Sequence, residues 1–171
     1  MKPHLRSVVF ALLLILGLGG CGYKLGEIRP TPMRTVRTLS VPTFKNLTYE
    51  PRVEVLLADT LIKQLQQDGT YTVVDGNTAN AILECTLRKI ERRSVRSVQN
   101  NVLATAEFEL SLEVNYVVFD RVTGAILMQG RVRGRTSFFS SEDLQTTERQ
   151  AIPVAAQDAA VQIVTEIAEG W

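Results

Sequence analysis

Eight basic side chains fall in two short runs of this 171-residue chain and carry its most concentrated chemistry. Arg88, Lys89, Arg92, Arg93 and Arg96 oppose Glu91 alone within nine residues, and Arg131, Arg133 and Arg135 recur at alternate positions. Guanidinium groups grip phosphates through a bidentate fork, so one reading is an anion-binding surface for lipid phosphates. The other is a solvated, salt-bridged face, partly offset by Glu107, Glu109 and Glu113, whose exposed ion pairs contribute little. Val95, Val98, Val102 and Leu103, beside the first run, would meet acyl chains or a membrane-embedded partner, or else cap the core. From Glu142 onward the balance reverses, with six acids against Arg149.

Catalytic and metal-binding groups are scarce by comparison. One histidine, His4, and two cysteines are fewer than the usual ligands of a zinc site. No phosphate-loop or dinucleotide-binding glycine pattern occurs, and Asp59, Asp68, Asp75 and Asp158 are scattered along the chain. The expectation is a protein that is not an enzyme and uses no cofactor or metal. A formal net charge of +1 speaks against a nucleic-acid partner. With 45% hydrophobic and 22% charged residues, the chain has the composition of one globular domain, and not of a disordered or polytopic membrane protein.

The N-terminus departs from that average. Lys2 and Arg6 precede the apolar run Val8 to Leu16, which closes with Gly17-Leu-Gly-Gly20 before Cys21. This is the order of a secretory signal, and the run is about half the roughly 20 residues that span a bilayer. Leu18-Gly19-Gly20-Cys21 resembles the bacterial lipobox. That resemblance implies cleavage before Cys21, a diacylglycerol on its thiol and a palmitate-type acyl chain on its amine. Several acyl chains, at roughly 0.8 kcal/mol per buried CH₂, make a nearly irreversible anchor. Gly22 in place of Asp implies sorting to the outer membrane. Removing residues 1–20 takes His4 and its acid–base chemistry away. It leaves 171 − 20 = 151 residues with 17 basic and 18 acidic side chains, and Cys85 as the only free thiol, read as a small core residue. The expected organisation is a signal peptide over 1–20, a lipidated N-terminus and tether over 21–34, and a single domain over 35–171.

Periodicity supplies the elements of that domain. Val36 to Phe44 reads as a strand, at an edge near Pro42, followed by a turn at Lys45 to Thr48. Pro51 opens a helix whose Val53, Leu56, Leu57, Leu61 and Leu65 share a face, and Gly69 ends it. Tyr71 to Val74 is a short strand. In Ala81 to Ile90 the odd positions point inward, and between Ala104 and Val118 every even position is apolar or aromatic. Asp120 to Gly124 turns the chain into Ile126, Met128 and Val132. Pairing symmetric about Val122 would set Glu113 opposite Arg131 and Glu109 opposite Arg135. After a polar loop from Ser137 to Thr147, Ile152, Ala156, Ala159, Ile163 and Ile167 trace a second helix, widened by Ala155, Ala160 and Val164, with Pro153 near its start. The fold class is α+β: a two-layer sandwich with two helices on one face of a mostly antiparallel sheet of four or five strands. The other face stays polar and open.

Several segments in this order resemble the LptE family of lipopolysaccharide-assembly lipoproteins. They are Cys21-Gly-Tyr-Lys-Leu25, Ser40-Val-Pro-Thr-Phe-Lys-Asn-Leu-Thr48 leading into Pro51, and Ala79-Asn-Ala-Ile-Leu83. The Phe108-to-Val118 strand with Asp120-Arg-Val-Thr-Gly124, and the Glu148-to-Trp171 helix, complete the set. The resemblance implies a lipid-anchored protein on the periplasmic side of the outer membrane. It would plug and help assemble the large β-barrel LptD and bind lipopolysaccharide on its way to the outer leaflet. Basic residues on strands and strand ends, here Arg88, Lys89, Arg92, Arg131 and Arg133, would contact lipopolysaccharide, and the loop Arg93 to Asn101 would enter the barrel lumen. Phe44-Lys-Asn-Leu-Thr48 with Tyr71 to Val74 is also similar to CsgG-like and LpoB-like lipoproteins, which form secretion pores or activate peptidoglycan synthases. Those continue in strand–helix alternation, whereas three long consecutive strands here favour LptE. An envelope protein with a purely structural role is the remaining alternative.

Overall fold

The computed structural model describes residues 29–96, 107–139 and 144–170. The expected signal segment, Cys21, the hairpin tip with Val98, Val102 and Leu103, and Trp171 lie outside the described residues. Strands β1 (Thr38–Ser40) and β2 (Lys45–Asn46) precede helix α1 (Val53–Asp68). Then come β3 (Thr72–Val73), β4 (Ala81–Arg96), β5 (Glu107–Asp120), β6 (Ile126–Phe139) and helix α2 (Leu144–Glu169). The sheet runs β3-β1-β4-β5-β6, with β2 also against β4.

Both helices cover one face, as the apolar spacing predicts, so the α+β two-layer reading holds. Val53, Leu57, Leu61 and Leu65 of α1 and Ala155, Ala156, Ala159, Ile163 and Ile167 of α2 are buried against Leu83, Leu87, Leu110, Leu112, Val114 and Val118. Two details differ. The sheet has six strands, and only β4, β5 and β6 pair antiparallel, while β1 pairs parallel with β3 and β4, and β2 pairs parallel with β4. Parallel neighbours need a crossover connection, and α1, lying between β2 and β3, provides it. The expected first strand divides because Pro42 has no N–H to pair. Lys45 and Asn46, expected in a turn, instead rejoin β4 opposite Thr86 and Leu87.

Residues 29–34, assigned by composition to the tether, pack against the domain. Met33 is fully buried after a 3-10 turn at Thr31–Met33. Arg29 is only 8% exposed; its guanidinium donates to the Val36 carbonyl at 2.8 Å and the Thr70 carbonyl at 2.9 Å, and lies over the Tyr71 ring. These bonds close the core at the end where α1 and α2 finish.

Helix α2 begins at Leu144, so Pro153 falls inside it instead of near its start. Its alanines let it approach the sheet closely at Gly134, where any Cβ would strike the Ala155 carbonyl and come within 2.7 Å of the Ala159 Cβ. The same helix seals the outer edge of β6. The Arg135 N–H donates to Asp158 Oδ2 at 2.9 Å, and Gln162 Nε2 donates to the Arg133 carbonyl at 3.1 Å and to Asp158 at 2.9 Å.

Candidate functional site

The open face of β4–β5–β6 presents its side chains in rows set by the strand register. From one end these are Ile82–Phe119–Ile126, Glu84–Val117–Gln129, Thr86–Asn115–Arg131, Lys89–Glu113–Arg133, Glu91–Ser111–Arg135 and Arg93–Glu109–Ser137. The middle rows alternate cations and carboxylates. Glu113 stands between two arginines: Arg133 Nη2 donates to its Oε2 at 3.0 Å, and Arg131 Nη1 lies 3.7 Å from Oε1. Arg131 Nε also donates to Asn115 Oδ1 at 3.1 Å. Across β5, Lys89 Nζ is 2.5 Å from Glu91, and this hydrogen bond, with Arg133 and Arg93 nearby, holds the Glu91 carboxyl below its usual range.

This register corrects the expected pairing. Glu113 faces Arg133 and Asn115 faces Arg131, two residues from the symmetric alignment, and Arg135 lies opposite Ser111 instead of Glu109. The turn accounts for part of the shift. Asp120 Oδ1 accepts the Val122 and Thr123 N–H groups, Gly124 takes φ +68°, and the Asp120 N–H bonds the Ala125 carbonyl, leaving a four-residue loop. An irregularity opposite Val118/Phe119, where Leu127 is extra, adds the rest.

A second irregularity redirects the first basic run. The register of β4 shifts between Leu87 and Lys89, so Arg88 is an unpaired extra residue and inward parity passes from odd to even positions. Lys89, Glu91 and Arg93 therefore stand on the open face beside Arg131 and Arg133, while Ile90 and Arg92 turn to the helix side. Arg92 is engaged there: its Nη1 donates to Glu148 of α2 at 2.6 Å, and its guanidinium lies 5.8 Å from the Phe108 ring. The five expected contacts are thus not one cluster. Arg131 and Arg133 share Glu113, with Lys89 across from it, Arg88 sits at the strand edge, and Arg92 is a strut between sheet and helix.

Arg88 and Lys89 also border a cleft of about 330 Å³ with Leu47, Thr48, Tyr49, Glu50, Ile90 and Glu148. An adjoining cavity of about 610 Å³, sharing Glu50, is lined by Pro51, Arg52, Val53, Leu56, Arg149 and Ile152. Its position follows from the chain between β2 and α1. The Asn46 side chain accepts from Thr48 N and Oγ1 and donates to the Glu50 carbonyl and Glu54, which bends the loop outward. Arg52 then enters α1 with φ +67°. Tyr49 is fully exposed and Leu47 half-exposed. Sequence reasoning missed Tyr49, Arg52 and Arg149. The signal for Tyr49 was a large aromatic in an expected loop, whereas no local pattern joins Arg52 to Arg149. Chemically, the two cavities combine Arg52, Arg88, Lys89 and Arg149 with the carboxylates of Glu50 and Glu148 and with apolar Leu47, Tyr49, Leu56 and Ile152.

The thiol of Cys85 is buried, and that burial pushes its ionisation far up, so it packs as a small core residue. Among the described residues no group of His, Cys, Asp and Glu could hold a metal ion.

Solved structures share this architecture. A neuraminyllactose-binding hemagglutinin homologue from Helicobacter pylori is 14% identical, with 85% of this chain and 91% of that one covered at a TM-score of 0.55. A minor lipoprotein from Acinetobacter baumannii is 18% identical over 79% and 94% of the two chains, with a TM-score of 0.53. Lipoprotein B from Nitrosomonas europaea is 18% identical over 86% and 90%, with a TM-score of 0.52. At these identities the likeness is one of fold. No curated protein matches the chain by sequence. The model of the LptE lipopolysaccharide-assembly family matches residues 36–167, from two residues before β1 to the last turn of α2, and the chain belongs to that family.

Proposed function

We propose that this chain is an outer-membrane lipoprotein that plugs and helps assemble an LptD-type β-barrel and binds lipopolysaccharide during its delivery to the outer leaflet. Residues 1–20 are removed, Cys21 carries the lipid, and the domain works on the periplasmic side of the membrane. The family match across residues 36–167 carries this reading, and the role is one of assembly, without catalysis.

The side chains support it chemically. The arginine ends of the ion pairs with Glu113 are exposed, 64% for Arg131 and 43% for Arg133, whereas the Glu113 side chain is only 19% exposed. Each guanidinium carries five N–H donors, so a lipid phosphate can take charge-assisted bonds from those that Glu113 leaves free. Lys89 extends that site across β5. Arg88 stands at the rim of the cleft, where Tyr49 and Leu47 offer apolar surface to an acyl chain. Arg92 contributes less directly, by holding α2 against the sheet through Glu148.

Affinity purification of the lipidated protein tests the assembly role. A large outer-membrane barrel should copurify; recovery of a peptidoglycan synthase or a self-assembled pore would replace this reading with the LpoB-like or CsgG-like one. Replacing Arg131→Glu and Arg133→Glu together should weaken lipopolysaccharide binding by about tenfold or more, since charged hydrogen bonds contribute roughly 1.5–3 kcal/mol each. Unchanged affinity in a titration of the purified domain would return both arginines to a structural ion-pair role.

A further inference from the structure

The antiparallel strands β4, β5 and β6 have two outer edges, and the chain treats them differently. Along β6, Gln162 and Asp158 of α2 bond the Arg133 carbonyl and the Arg135 N–H. Along β4 the cover stops early. There β1 pairs with Ala81 and Ile82, β2 with Thr86 and Leu87, and the last bond on that side runs from the Leu47 N–H to the Leu87 carbonyl. Beyond it β4 continues to Arg96 and pairs, among the described residues, with β5 alone. Backbone bonding groups alternate between the two sides of a strand. The Leu87 carbonyl points to the uncovered side, and the extra residue at Arg88 passes that direction on to Ile90, Arg92 and Ser94. Arg88 to Ser94 spans about 20 Å, the length of an ordinary strand.

This edge is open because the chain leaves it. Directly after the last pair, the Asn46 side chain accepts from Thr48 N and Oγ1 and draws the loop away from β4. The cleft of about 330 Å³ lies between the departing residues Leu47 to Glu50 and the β4 residues Arg88 to Ile90, where the next residues of a paired strand would run. A peptide strand is the ligand that satisfies such an edge, through main-chain bonds. A second copy fits it poorly. Two β4 edges side by side would set Arg88, Lys89, Arg92 and Arg93 against the same cations, and the β6 edge is taken by α2. Carboxylates of this chain already meet Lys89 through Glu91 and Arg92 through Glu148. Glu50 borders the cleft, and Glu109 lies across from Arg93 on β5. Arg88 and Arg93 nevertheless form no ion pair among the described residues.

We propose that an extended segment of the barrel partner, carrying carboxylates for Arg88 and Arg93, adds to β4 over residues 90–94 as a further strand. This rests on the reading that the chain assembles with an LptD-type barrel, and it names the contact that joins them.

The test uses the full lipidated chain copurified with its barrel. Amide hydrogen exchange at Ile90, Arg92 and Ser94 should slow by about tenfold or more in the complex relative to the free chain. Ser94→Pro removes an N–H from the uncovered side, where a proline costs the sheet no bond. It should cut the recovered barrel by about tenfold with unchanged lipopolysaccharide affinity and urea midpoint, while Ser94→Ala recovers as much barrel as the parent. Ser94→Cys carrying a benzophenone maleimide identifies the occupant, since Cys85 is buried and Cys21 holds the lipid. Coupling to a barrel peptide richer in Asp and Glu than in Lys and Arg supports the proposal. Coupling to a second copy or to a barrel peptide without that acidic excess overturns it. Exchange at these amides that is the same with and without the barrel also overturns it, and both measurements decide even where S94P fails to fold. If no barrel copurifies, the assembly role fails and this proposal with it.

Discussion

Single residues decide where the two layers touch and where the charges sit. Gly134 is the closest approach of helix to sheet, and its Cα hydrogens face backbone and alanine atoms of α2 that cannot swing aside. Gly134→Ala should destabilise the protein by about 1–3 kcal/mol through overpacking, seen as a lower urea midpoint with an unchanged slope. Gly130 has a comparable fit, because the Tyr116 ring lies over it and places the phenol against Glu166. Burial and that carboxylate push the Tyr116 hydroxyl well above its ordinary ionisation range. Neither glycine was legible from spacing, since a missing side chain leaves no hydrophobic signal. The inward parity of Leu110, Leu112 and Val114 was legible, because an apolar residue at every second position can hide only one face.

Elements were readable where they are long and regular, and less so where one residue interrupts them. The α1 and α2 stripes and the β5 alternation are independent of their neighbours and stand as expected. Register is not local: it is settled by the turn and by extra residues such as Arg88 and Leu127, so the pairings of Arg131 and Arg135 could not be obtained by counting from Val122. The β5–β6 turn makes this testable through pH. Hydrogen bonds from Thr123 and Val122 lower the Asp120 pKa from its ordinary 3.8. A carboxylate whose folded pKa is depressed contributes stability fully above its unfolded value and loses it as the pH falls through the folded one. Denaturation midpoints followed from pH 5 downward should therefore decline more steeply in the parent than in Asp120→Asn, which keeps an acceptor oxygen but cannot titrate. Parallel slopes would mean that the Asp120 charge contributes nothing to the turn.

At the scale of the whole molecule, the near-neutral composition conceals a segregated surface. Val122 and Ile126 are exposed at one end of the sheet and Val95 and Phe139 at the other, the middle of the open face is a mosaic of arginines and carboxylates, and a cleft opens between the sheet and the start of α2. The fold class and the family were legible because they depend on element order, which the chain displays. The cleft was not, because Arg52, Arg88 and Arg149 come from three elements that meet only on folding. Asp158 and Gln162 give this architecture a further property. A fourteen-residue edge strand exposes a row of donors and acceptors that another chain can pair with. Here the carboxylate and the amide occupy that row at its midpoint, over Arg133 and Arg135. Asp158→Ala with Gln162→Ala should leave the fold in place and raise concentration-dependent self-association in sedimentation velocity. On the acyl anchor proposed above, the protein would meet its own copies far more often than in free solution, and such a stopper would guard it against crowding into fibres.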